Sequence, residues 1–335
     1  MPTPTAAPGL PPRRPRRVLV TGAAGFIGSH LVEALLAADP EVEVLSFDKL
    51  GYAGRRDNLA AVEGEPRHRL FVGDVAVDAD LDVAFSGFQP DAVVHLAAES
   101  HVDRSLASPA LFFVSNTIGA ERVLAAARRH GDPLVLLAST DEVYGQLDLA
   151  DPPWSEDAPL RPRSPYSVSK AAADHLAQAA FATYGQPVII SRASNTYGPR
   201  QHTEKLIPRM VTAAWDHQPM PLYGDGLHVR DWLHIGDHVA GLMLLVREGR
   251  LGQAYHLGGG QERSNISVLQ AILEILDRPA SLITPVADRP GHDRRYALDC
   301  SRAHALGWRP RRRFEDALAE TAEWYALNPG WWRGR

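Results

Sequence analysis

The chain contains almost no cysteine and very little lysine. Cys300 is the single cysteine among 335 residues, which excludes an internal disulfide and favours a reducing, cytoplasmic location. Of the 35 lysine and arginine residues, three are lysine: Lys49, Lys170 and Lys205. Because arginine fills the other basic positions, each lysine is a candidate for a place that requires a compact ammonium group.

A basic excess and a long apolar run are also missing. The net charge is -5 and the isoelectric point is near 6.3, which gives no support to a nucleic-acid or membrane partner. The apolar segments stay shorter than the roughly 18 consecutive residues typical of a membrane span. The histidines show no metal-ligand spacing, so no metal is expected.

The order of predicted elements indicates an α/β fold. Residues 1–16 are rich in proline and arginine and are expected to form a disordered leader. Residues 17–198 then alternate short β-branched runs with Ala- and Leu-rich helical patterns, typical of a Rossmann-type doubly wound parallel sheet. Residues 199–335 lose this rhythm and predict a smaller C-terminal α/β substrate domain, with some segments crossing between the two. The predicted strands are 18–21, 42–47, 70–72, 92–96, 135–138 and 188–191, and the predicted helices are 27–38, 111–130 and 166–184.

A glycine-rich loop follows the first predicted strand and opens the first helix. Gly22, Gly25 and Gly28 have the spacing Gly-x-x-Gly-x-x-Gly. A tight strand-to-helix turn alone would explain such a triplet. Its position, together with Asp48 at the end of the second strand, favours a dinucleotide, because backbone N–H groups and the helix dipole then face a pyrophosphate. A carboxylate at Asp48 would accept hydrogen bonds from a ribose and repel a 2′-phosphate, so NAD is predicted over NADP.

Tyr166 and Lys170 lie four residues apart on one face of a predicted helix. A nearby ammonium and a cationic nicotinamide would both stabilise a phenolate, which can then take a proton from a substrate hydroxyl. A chance pairing of surface residues is the alternative. The preceding dinucleotide loop favours the catalytic interpretation.

Asp141 and Glu142 follow the fifth predicted strand, after Thr140. An alcohol dehydrogenase has no need of adjacent carboxylates, whereas a dehydration requires one group to remove a carbon-bound proton and another to protonate the departing hydroxide. Two crowded carboxylates with separated pKa values provide both groups. A helix-capping acidic pair is the alternative. The end of a parallel strand, where ligands bind in such sheets, favours catalysis.

At this point the chain resembles the extended short-chain dehydrogenase/reductases and, among them, the dTDP-glucose 4,6-dehydratases, from about residue 17 to the end. The resemblance rests on seven segments: VTGAAGFIGSH (20–30), HLAAESHVDRS (95–105), STDEVYG (139–145), SPYSVSK (164–170), EKLIPRM (204–210), YGDGLHVRDWLH (223–234) and DRPGHDRRY (288–296).

The resemblance implies roles for individual residues. Tyr166, with Lys170 and Thr140, would deprotonate the glucose 4-hydroxyl while hydride passes from C4 to NAD. Glu142 would remove the C5 proton, Asp141 would protonate the C6 hydroxyl, and hydride would return to C6. The implied cofactor contacts are Gly22, Gly25, Phe26, Ile27, Gly28, Asp48, Lys49, Asp74, Val75, Leu96, Ala97, Ala98, Ser115, Tyr166, Lys170 and Thr196. The implied substrate contacts are Ser100, Thr140, Asn195, Lys205, Leu206, Pro221, Tyr223, Arg230, Asn265, Arg289 and His292. A homodimer through the helices near 111–130 and 166–184 is implied as well.

Three positions depart from the family pattern. Thr196 replaces the second asparagine of Ser-Asn-Asn-Tyr-Gly-Pro, and a hydroxyl cannot offer the two donors and one acceptor of an amide. Gly51 replaces a threonine beside the adenosine site. Ala193 stands where a cysteine or serine is usual.

The sequence therefore predicts an NAD-dependent lyase that dehydrates dTDP-glucose to dTDP-4-keto-6-deoxyglucose. One alternative is a dehydratase or epimerase acting on a UDP- or other NDP-sugar. An alternative from a different class is a catalytically idle NAD-binding regulator, for which an elimination pair would have no use.

Overall fold

The computed structural model describes residues 13–333, and parallel strands form its centre. Its strands are β1 (Arg17–Thr21), β2 (Glu43–Asp48), β3 (His68–Val72), β4 (Ala92–His95), β5 (Leu134–Thr140), β6 (Val188–Ala193), β7 (Asn195–Tyr197), β8 (Met220–Tyr223), β9 (Val229–His234), β10 (Ala254–Leu257), β11 (Glu262–Ser264) and β12 (Ile283–Val286). The helices are α1 (Phe26–Ala38), α2 (Asp78–Phe88), α3 (Val102–Ala107), α4 (Pro109–Phe112), α5 (Gly119–Arg129), α6 (Pro165–Tyr184), α7 (Leu206–Trp215), α8 (Ile235–Glu248), α9 (Asn265–Ile275), α10 (Ser301–Ala305), α11 (Phe314–Leu327) and α12 (Pro329–Trp332).

Seven strands form one sheet in the order β10-β6-β5-β4-β1-β2-β3, with every pair parallel. Apolar residues cover both faces, as a buried parallel sheet requires. One face packs with α1 and α8, for example through Leu31 and Leu242. The opposite face packs with α2, α5 and α6, for example through Phe85, Val123 and Ala177. The predicted doubly wound α/β sheet is confirmed.

A smaller unit stands at the carboxyl ends of the large sheet. Strands β7, β9 and β11 form a three-stranded sheet, while β8 pairs with β12. Helices α7, α9 and α11 share a separate apolar core that includes Ile207, Leu269 and Leu318. Although both come from the C-terminal half, β10 pairs with β6 in the large sheet and α8 packs on one face of that sheet. The boundary between residues 198 and 199 remains a prediction.

Helix α6 begins one residue before its predicted start and ends where the sequence predicts. Ser164 and Ser167 form a reciprocal capping box, and Pro165 occupies the first turn, where its missing N–H costs nothing. The helix ends at Gly185, whose φ of 69° lies in the left-handed region that favours glycine. These signals fix the position of Tyr166 and Lys170 on the first turns.

The predicted helix 111–130 differs from a regular α-helix. Residues Phe113–Ile118 are π-helical between α4 and α5. By length and hydropathy the run Pro109–Arg129 is apolar enough to cross a membrane, yet half of its most apolar window is buried. A core helix meets the same test, so this run is weak evidence for a membrane span.

Most of the predicted leader, residues 1–12, lies outside the described residues. Within the described part, the Arg13 side chain donates to the carbonyl of Val246 at 2.9 Å, and its backbone N–H donates to the carbonyl of Arg247 at 2.8 Å. Arg13 is therefore attached to the end of α8.

Candidate active site

The glycine loop between β1 and α1 forms one end of a cavity at the carboxyl ends of the large sheet. Gly22 has a φ of 68°, and a Cβ there would lie 2.7 Å from the Ala97 nitrogen. A Cβ on Gly28 would lie 2.2 Å from the Gly22 carbonyl oxygen. Gly25 caps α1 without a side-chain hydrogen bond, so the first N–H groups of this helix remain available to a phosphate.

Asp48 ends β2 beside this loop. Its carboxylate accepts hydrogen bonds from the backbone N–H groups of Ala24 at 2.9 Å and Leu50 at 2.8 Å. Burial raises the pKa of Asp48, and the two backbone hydrogen bonds act in the opposite direction. Each carboxylate oxygen keeps further acceptor capacity, so the residues present fit the adenosine ribose of NAD.

The structure brings all sixteen predicted cofactor contacts to the wall of this one cavity. Lys49 lies beside Asp74, with Nζ 3.6 Å from Oδ2. Ser115 reaches the cavity from the π-helical segment, and such segments often occur at functional sites.

Asp141 and Glu142 form a short 3₁₀ turn that leaves β5 at Thr140. The Thr140 hydroxyl donates to Asp141 Oδ1 at 3.1 Å and accepts from the Glu142 N–H at 3.3 Å. Burial and the neighbouring Glu142 carboxylate raise the pKa of Asp141 well above its usual range. Burial also raises the pKa of Glu142, but Arg289 and Arg230 oppose that effect. These directions suit a protonated Asp141 beside an ionised Glu142.

Tyr166 and Lys170 face the same part of the cavity. The Lys170 ammonium donates to the Ala138 carbonyl at 2.6 Å, which anchors it to β5, and burial lowers its pKa to about 8. Burial and the Glu142 carboxylate raise the pKa of the Tyr166 phenol, while a hydrogen bond with Thr140 lowers it. In the protein alone, burial outweighs any stabilisation of the phenolate by Lys170.

A second cavity adjoins the first on the side of the smaller unit. It is lined by all the predicted substrate contacts except Thr140, which lines the first cavity. Ser100, Glu142, Asn195, Glu204 and Lys205 line both cavities. Because Glu142 stands at this junction, a substrate held in the second cavity would present its reacting end to Asp141, Glu142 and Tyr166.

Two cations line the second cavity, Arg230 buried and Lys205 half-buried. Arg230 donates to the carbonyls of Val229 at 2.7 Å and Asp293 at 2.9 Å. The neighbouring Asp231 carboxylate accepts from the backbone N–H groups of Gly259 and Gln261. Lys205 Nζ donates to the Ser100 carbonyl at 2.5 Å, and burial lowers its pKa.

His292 is held by Asp288, whose Oδ1 lies 2.7 Å from His292 Nδ1. The ring of His228 stacks on that of His292, with centroids 3.7 Å apart and planes at 13°. These three residues form a group whose ligand atoms lie close enough for a metal ion. Two nearly parallel rings at that spacing cannot both direct an in-plane nitrogen at one ion, so this group does not support a metal site.

Sequence reasoning missed a cluster around Tyr52. The Tyr52 hydroxyl donates to Glu204 at 3.0 Å, the Arg104 guanidinium lies 3.7 Å from its ring centroid, and the His202 ring meets it edge-on at 5.4 Å. These residues come from the loop after β2, from α3 and from the loop before α7. The cluster therefore joins the loop beside Asp48 to the segment that carries Lys205.

Asn116 was also missed. It accepts from the Glu99 N–H at 2.8 Å and donates to the Glu99 carbonyl at 3.0 Å and to the Ser169 hydroxyl at 2.9 Å. It thereby ties the loop after β4 to the turn of α6 that carries Lys170. The polar Ser-Asn-Thr step inside an apolar helix was the available signal.

The departures from the family pattern have structural consequences. The Thr196 hydroxyl lies 2.8 Å from Nδ1 of His238, a cavity-lining residue that sequence reasoning did not select. A Cβ on Gly51 would meet only the Lys49 side chain, at 3.6 Å, so the site has room for the usual threonine. Ala193 ends β6 at the cavity wall.

Known proteins resemble this chain in sequence and in fold. The family model described as GDP-mannose 4,6 dehydratase matches residues 19–321. A dTDP-glucose 4,6-dehydratase of Actinoplanes sp. is 47% identical over 322 residues, which cover 94% of this chain and 99% of the relative. The crystal structure of DesIV, a dTDP-glucose 4,6-dehydratase of Streptomyces venezuelae with NAD and dTDP bound, is 48% identical, covers 95% of this chain and 99% of its own, and gives a TM-score of 0.91. The crystal structure of a UDP-glucose 4-epimerase of Thermus thermophilus in complex with NAD is 33% identical to this chain. The match covers 92% of this chain and 99% of the epimerase chain, with a TM-score of 0.85.

Proposed function

Because the chain belongs to the family described as GDP-mannose 4,6 dehydratase, we propose that it is an NAD-dependent hydro-lyase that converts dTDP-glucose to dTDP-4-keto-6-deoxyglucose. The family description names a guanosine nucleotide, whereas curated relatives that are 43–49% identical over nearly their full length are dTDP-glucose 4,6-dehydratases. Identity of that extent favours the thymidine nucleotide.

One observation carries the proposal: an acidic pair lies beside a Tyr–Lys pair at the junction of two cavities. Asp141 and Glu142 contribute to the raised pKa of Tyr166, which places all three groups within electrostatic reach of one another. When bound, NAD accepts hydride from C4 of the sugar and later returns it to C6. The residues described above for the glycine loop and Asp48 would hold it.

The side chains supply the proton transfers. Tyr166 takes the proton of the 4-hydroxyl, and Thr140 and Lys170 hold that end of the site in place. The resulting ketone acidifies the C5 hydrogen, which the ionised Glu142 removes. Asp141, kept protonated by burial and by Glu142, protonates the C6 hydroxyl so that it departs as water. The two carboxyl groups thus divide acid and base work according to the directions of their pKa shifts.

The second cavity is suited to a nucleoside diphosphate. The half-buried Lys205 and the buried Arg230 offer cations for the two phosphates, and Tyr223 offers an aromatic face for a pyrimidine ring. Asn195 and Asn265 line this cavity, and their side-chain oxygens are buried and have no protein partner within residues 13–333.

The epimerase alternative shares this fold, as the Thermus thermophilus UDP-glucose 4-epimerase shows. An epimerase has no water to remove and so no need for Asp141 beside Glu142. Incubation with dTDP-glucose and, separately, UDP-glucose, followed by mass spectrometry for the loss of one water, tests the proposal. Loss from dTDP-glucose supports it. Loss from UDP-glucose alone would identify UDP-glucose as the substrate in place of dTDP-glucose. Epimerisation, or no reaction with either sugar, would reject the proposal.

We further infer that two copies associate through the outer faces of α4 to α6. Val114, Ile118 and Val168 expose between 39% and 48% of their surface on neighbouring elements there, and exposed apolar side chains that lie near one another are typical of an interface. Ile118→Asp is expected to shift the protein from dimer to monomer in light scattering. Val83→Asp, at an exposed apolar position on α2, is the matched control. A cytoplasmic location is inferred from the single, buried Cys300.

A further inference from the structure

A buried chain of hydrogen bonds holds the end of the turn that carries Asp141 and Glu142. Tyr144 is the last residue of this turn and is 1% exposed. Its hydroxyl lies 2.6 Å from Nε2 of His256 on β10 and accepts a hydrogen bond from the Arg192 guanidinium on β6. Arg192 and His256 are register partners on these adjacent parallel strands, so both side chains leave the same face of the sheet. The end of the turn is therefore attached to two strands of the large sheet.

The partners fix the direction of each hydrogen bond in this chain. Nδ1 of His256 lies 2.9 Å from the Asp299 carbonyl, which can only accept, so Nδ1 carries the proton. Burial lowers the pKa of His256 to about 3, so near pH 7 its Nε2 has no proton and can only accept. The Glu156 carbonyl is a more distant acceptor for the tyrosine, at 3.5 Å. The Tyr144 hydroxyl therefore donates to His256 and accepts from Arg192.

Arg192 also joins this turn to helix α6. Its Nε donates to Asp174 Oδ2 at 2.7 Å, and the two side chains are 2% and 0% exposed. Asp174 lies one helical turn after Lys170, on the helix that also carries Tyr166. One guanidinium thus contacts both parts of the proposed catalytic site, the acidic turn and the helix of the Tyr–Lys pair.

The position of the proposed acid depends on the backbone of the turn. Asp141 Oδ2 is buried and has no partner within residues 13–333, and its other oxygen accepts from Thr140. The turn is four residues long and ends at Tyr144. Tyr144 is not among the described residues that line either cavity. Any effect of its hydroxyl on the reaction is therefore exerted through the turn.

We propose that Tyr144 is a positioning residue for the elimination of water, an inference that rests on the dehydration given as the proposed function. Its hydroxyl, held by Arg192 and His256, fixes the turn so that the acid and the base meet C6 and C5 of the sugar. Oxidation at C4 depends on the Tyr–Lys pair of α6. Elimination should be the more sensitive step, because a misplacement of about 1 Å can cost on the order of 10²-fold in rate.

The test is a single turnover of the full-length Tyr144→Phe protein with NAD and dTDP-glucose. The substitution removes the hydroxyl and keeps the ring, which stacks on Trp154 with centroids 5.8 Å apart. Cofactor reduction, followed by near-ultraviolet absorbance, should keep nearly its normal rate. Reoxidation with release of the 4-keto-6-deoxy sugar should slow roughly 10- to 100-fold. Reduced nicotinamide should therefore accumulate transiently, while the affinity for dTDP should not change.

Tyr255→Phe is the matched control. Tyr255 precedes His256 on β10, is also 1% exposed, and its hydroxyl accepts from the Arg250 N–H at 2.9 Å. This variant loses a buried hydroxyl of the same kind, but one that makes no contact with the acidic turn. It should accumulate no reduced cofactor.

Two replacements of His256 keep the test decisive if Tyr144→Phe does not fold. Glutamine places its side-chain oxygen near the position of Nε2 and can accept from Tyr144, whereas asparagine places a donor near Nδ1 and offers Tyr144 no such acceptor. His256→Asn should therefore eliminate water several-fold more slowly than His256→Gln. A purely structural role of the imidazole would affect both variants alike.

Normal elimination by Tyr144→Phe overturns the proposal. Equal slowing of oxidation and elimination, accumulation of reduced cofactor in Tyr255→Phe, or equal elimination by the two His256 variants does so as well. If the unmodified protein removes no water from dTDP-glucose, the proposed function falls and this inference falls with it. Normal reaction by both the unmodified protein and Tyr144→Phe rejects this inference alone.

Discussion

Replacing Glu142 with glutamine separates the oxidation of the sugar from the elimination of water. Glutamine preserves the shape of the side chain but can neither carry a negative charge nor accept the C5 proton. The Glu142 carboxylate is the second-largest cause of the raised pKa of both Asp141 and Tyr166, after burial. Its removal therefore lowers both of those pKa values.

The two halves of the reaction should respond in opposite directions. Deprotonation of Tyr166 becomes easier, so oxidation at C4 is expected to proceed at least as fast as in the unmodified protein. Elimination loses its general base, so its rate should fall by roughly 10²- to 10⁴-fold, which corresponds to an activation barrier higher by about 3–5 kcal/mol. A smaller fraction of Asp141 is also protonated, because the Glu142 charge that raises its pKa is absent.

The assay is a single mixing of protein and dTDP-glucose, followed by near-ultraviolet absorbance of the reduced nicotinamide. Glu142→Gln should accumulate about one reduced cofactor per site, with one 4-ketoglucose formed for each, while little 4-keto-6-deoxy sugar is released. Glu63→Gln, a carboxylate exposed on the surface, is the control and should turn over normally. Rapid full turnover by Glu142→Gln, or the absence of any reduced cofactor, would refute the assignment of Glu142 as the base.

Three further changes test other parts of the site. Tyr166→Phe removes the group that takes the 4-hydroxyl proton, so absorbance spectroscopy should show the cofactor still oxidised in the presence of substrate; reduction at the normal rate contradicts that role. Asp48→Ala should lower NAD affinity about tenfold or more and leave NADP affinity nearly unchanged, and titration calorimetry giving a constant NAD-to-NADP ratio would reject the ribose contact. Burial lowers the pKa of His95 from 6.5 to about 3, so the stability contributed by its neutral form is complete above pH 6.5 and is lost as pH falls toward 3, by up to about 1.4 kcal/mol per pH unit. Urea unfolding of His95→Asn between about pH 6.5 and pH 4.5 should show a smaller loss of stability on acidification than the unmodified protein, and identical slopes would contradict the assignment.

Local signals in the sequence were sufficient for much of the fold. The end of helix α6 could be predicted because Gly185 follows its last residue. The strands around the cavity could be predicted because buried parallel strands form short β-branched runs. The glycine loop and Asp48 could be assigned to one dinucleotide site because their spacing along the chain is typical of such a site.

Contacts between distant parts of the chain could not be derived in this way. Thr196 was recognised as a departure from the family pattern, but its partner His238 lies on another element, and only the three-dimensional structure brings them together. The same holds for Tyr52, Arg104 and Glu204. The π-helical segment was missed because a shift in hydrogen bonding leaves the apolar pattern of the helix nearly unchanged.

Arg192 shows a further limit. Its side chain is almost fully buried and pairs with Asp174 on α6 at 2.7 Å. By composition an arginine at the end of β6 would be assigned to the surface. In the structure, Arg192 on β6 instead donates hydrogen bonds to the Asp174 carboxylate and to the hydroxyl of Tyr144. Tyr144 belongs to the turn that carries Asp141 and Glu142.

The pairing of β10 with β6 has a consequence for how the protein is made. Every residue of β6 is buried, and β10 covers its outer edge through the parallel register from Ala254 with Ile190 to Leu257 with Ala193. During synthesis, β6 emerges from the ribosome well before β10, so the growing chain carries an uncovered apolar edge that can pair with another chain. A gene fragment ending at residue 198 would retain that edge permanently. Expression of such a fragment should yield aggregates, whereas extension to residue 257 supplies the covering strand.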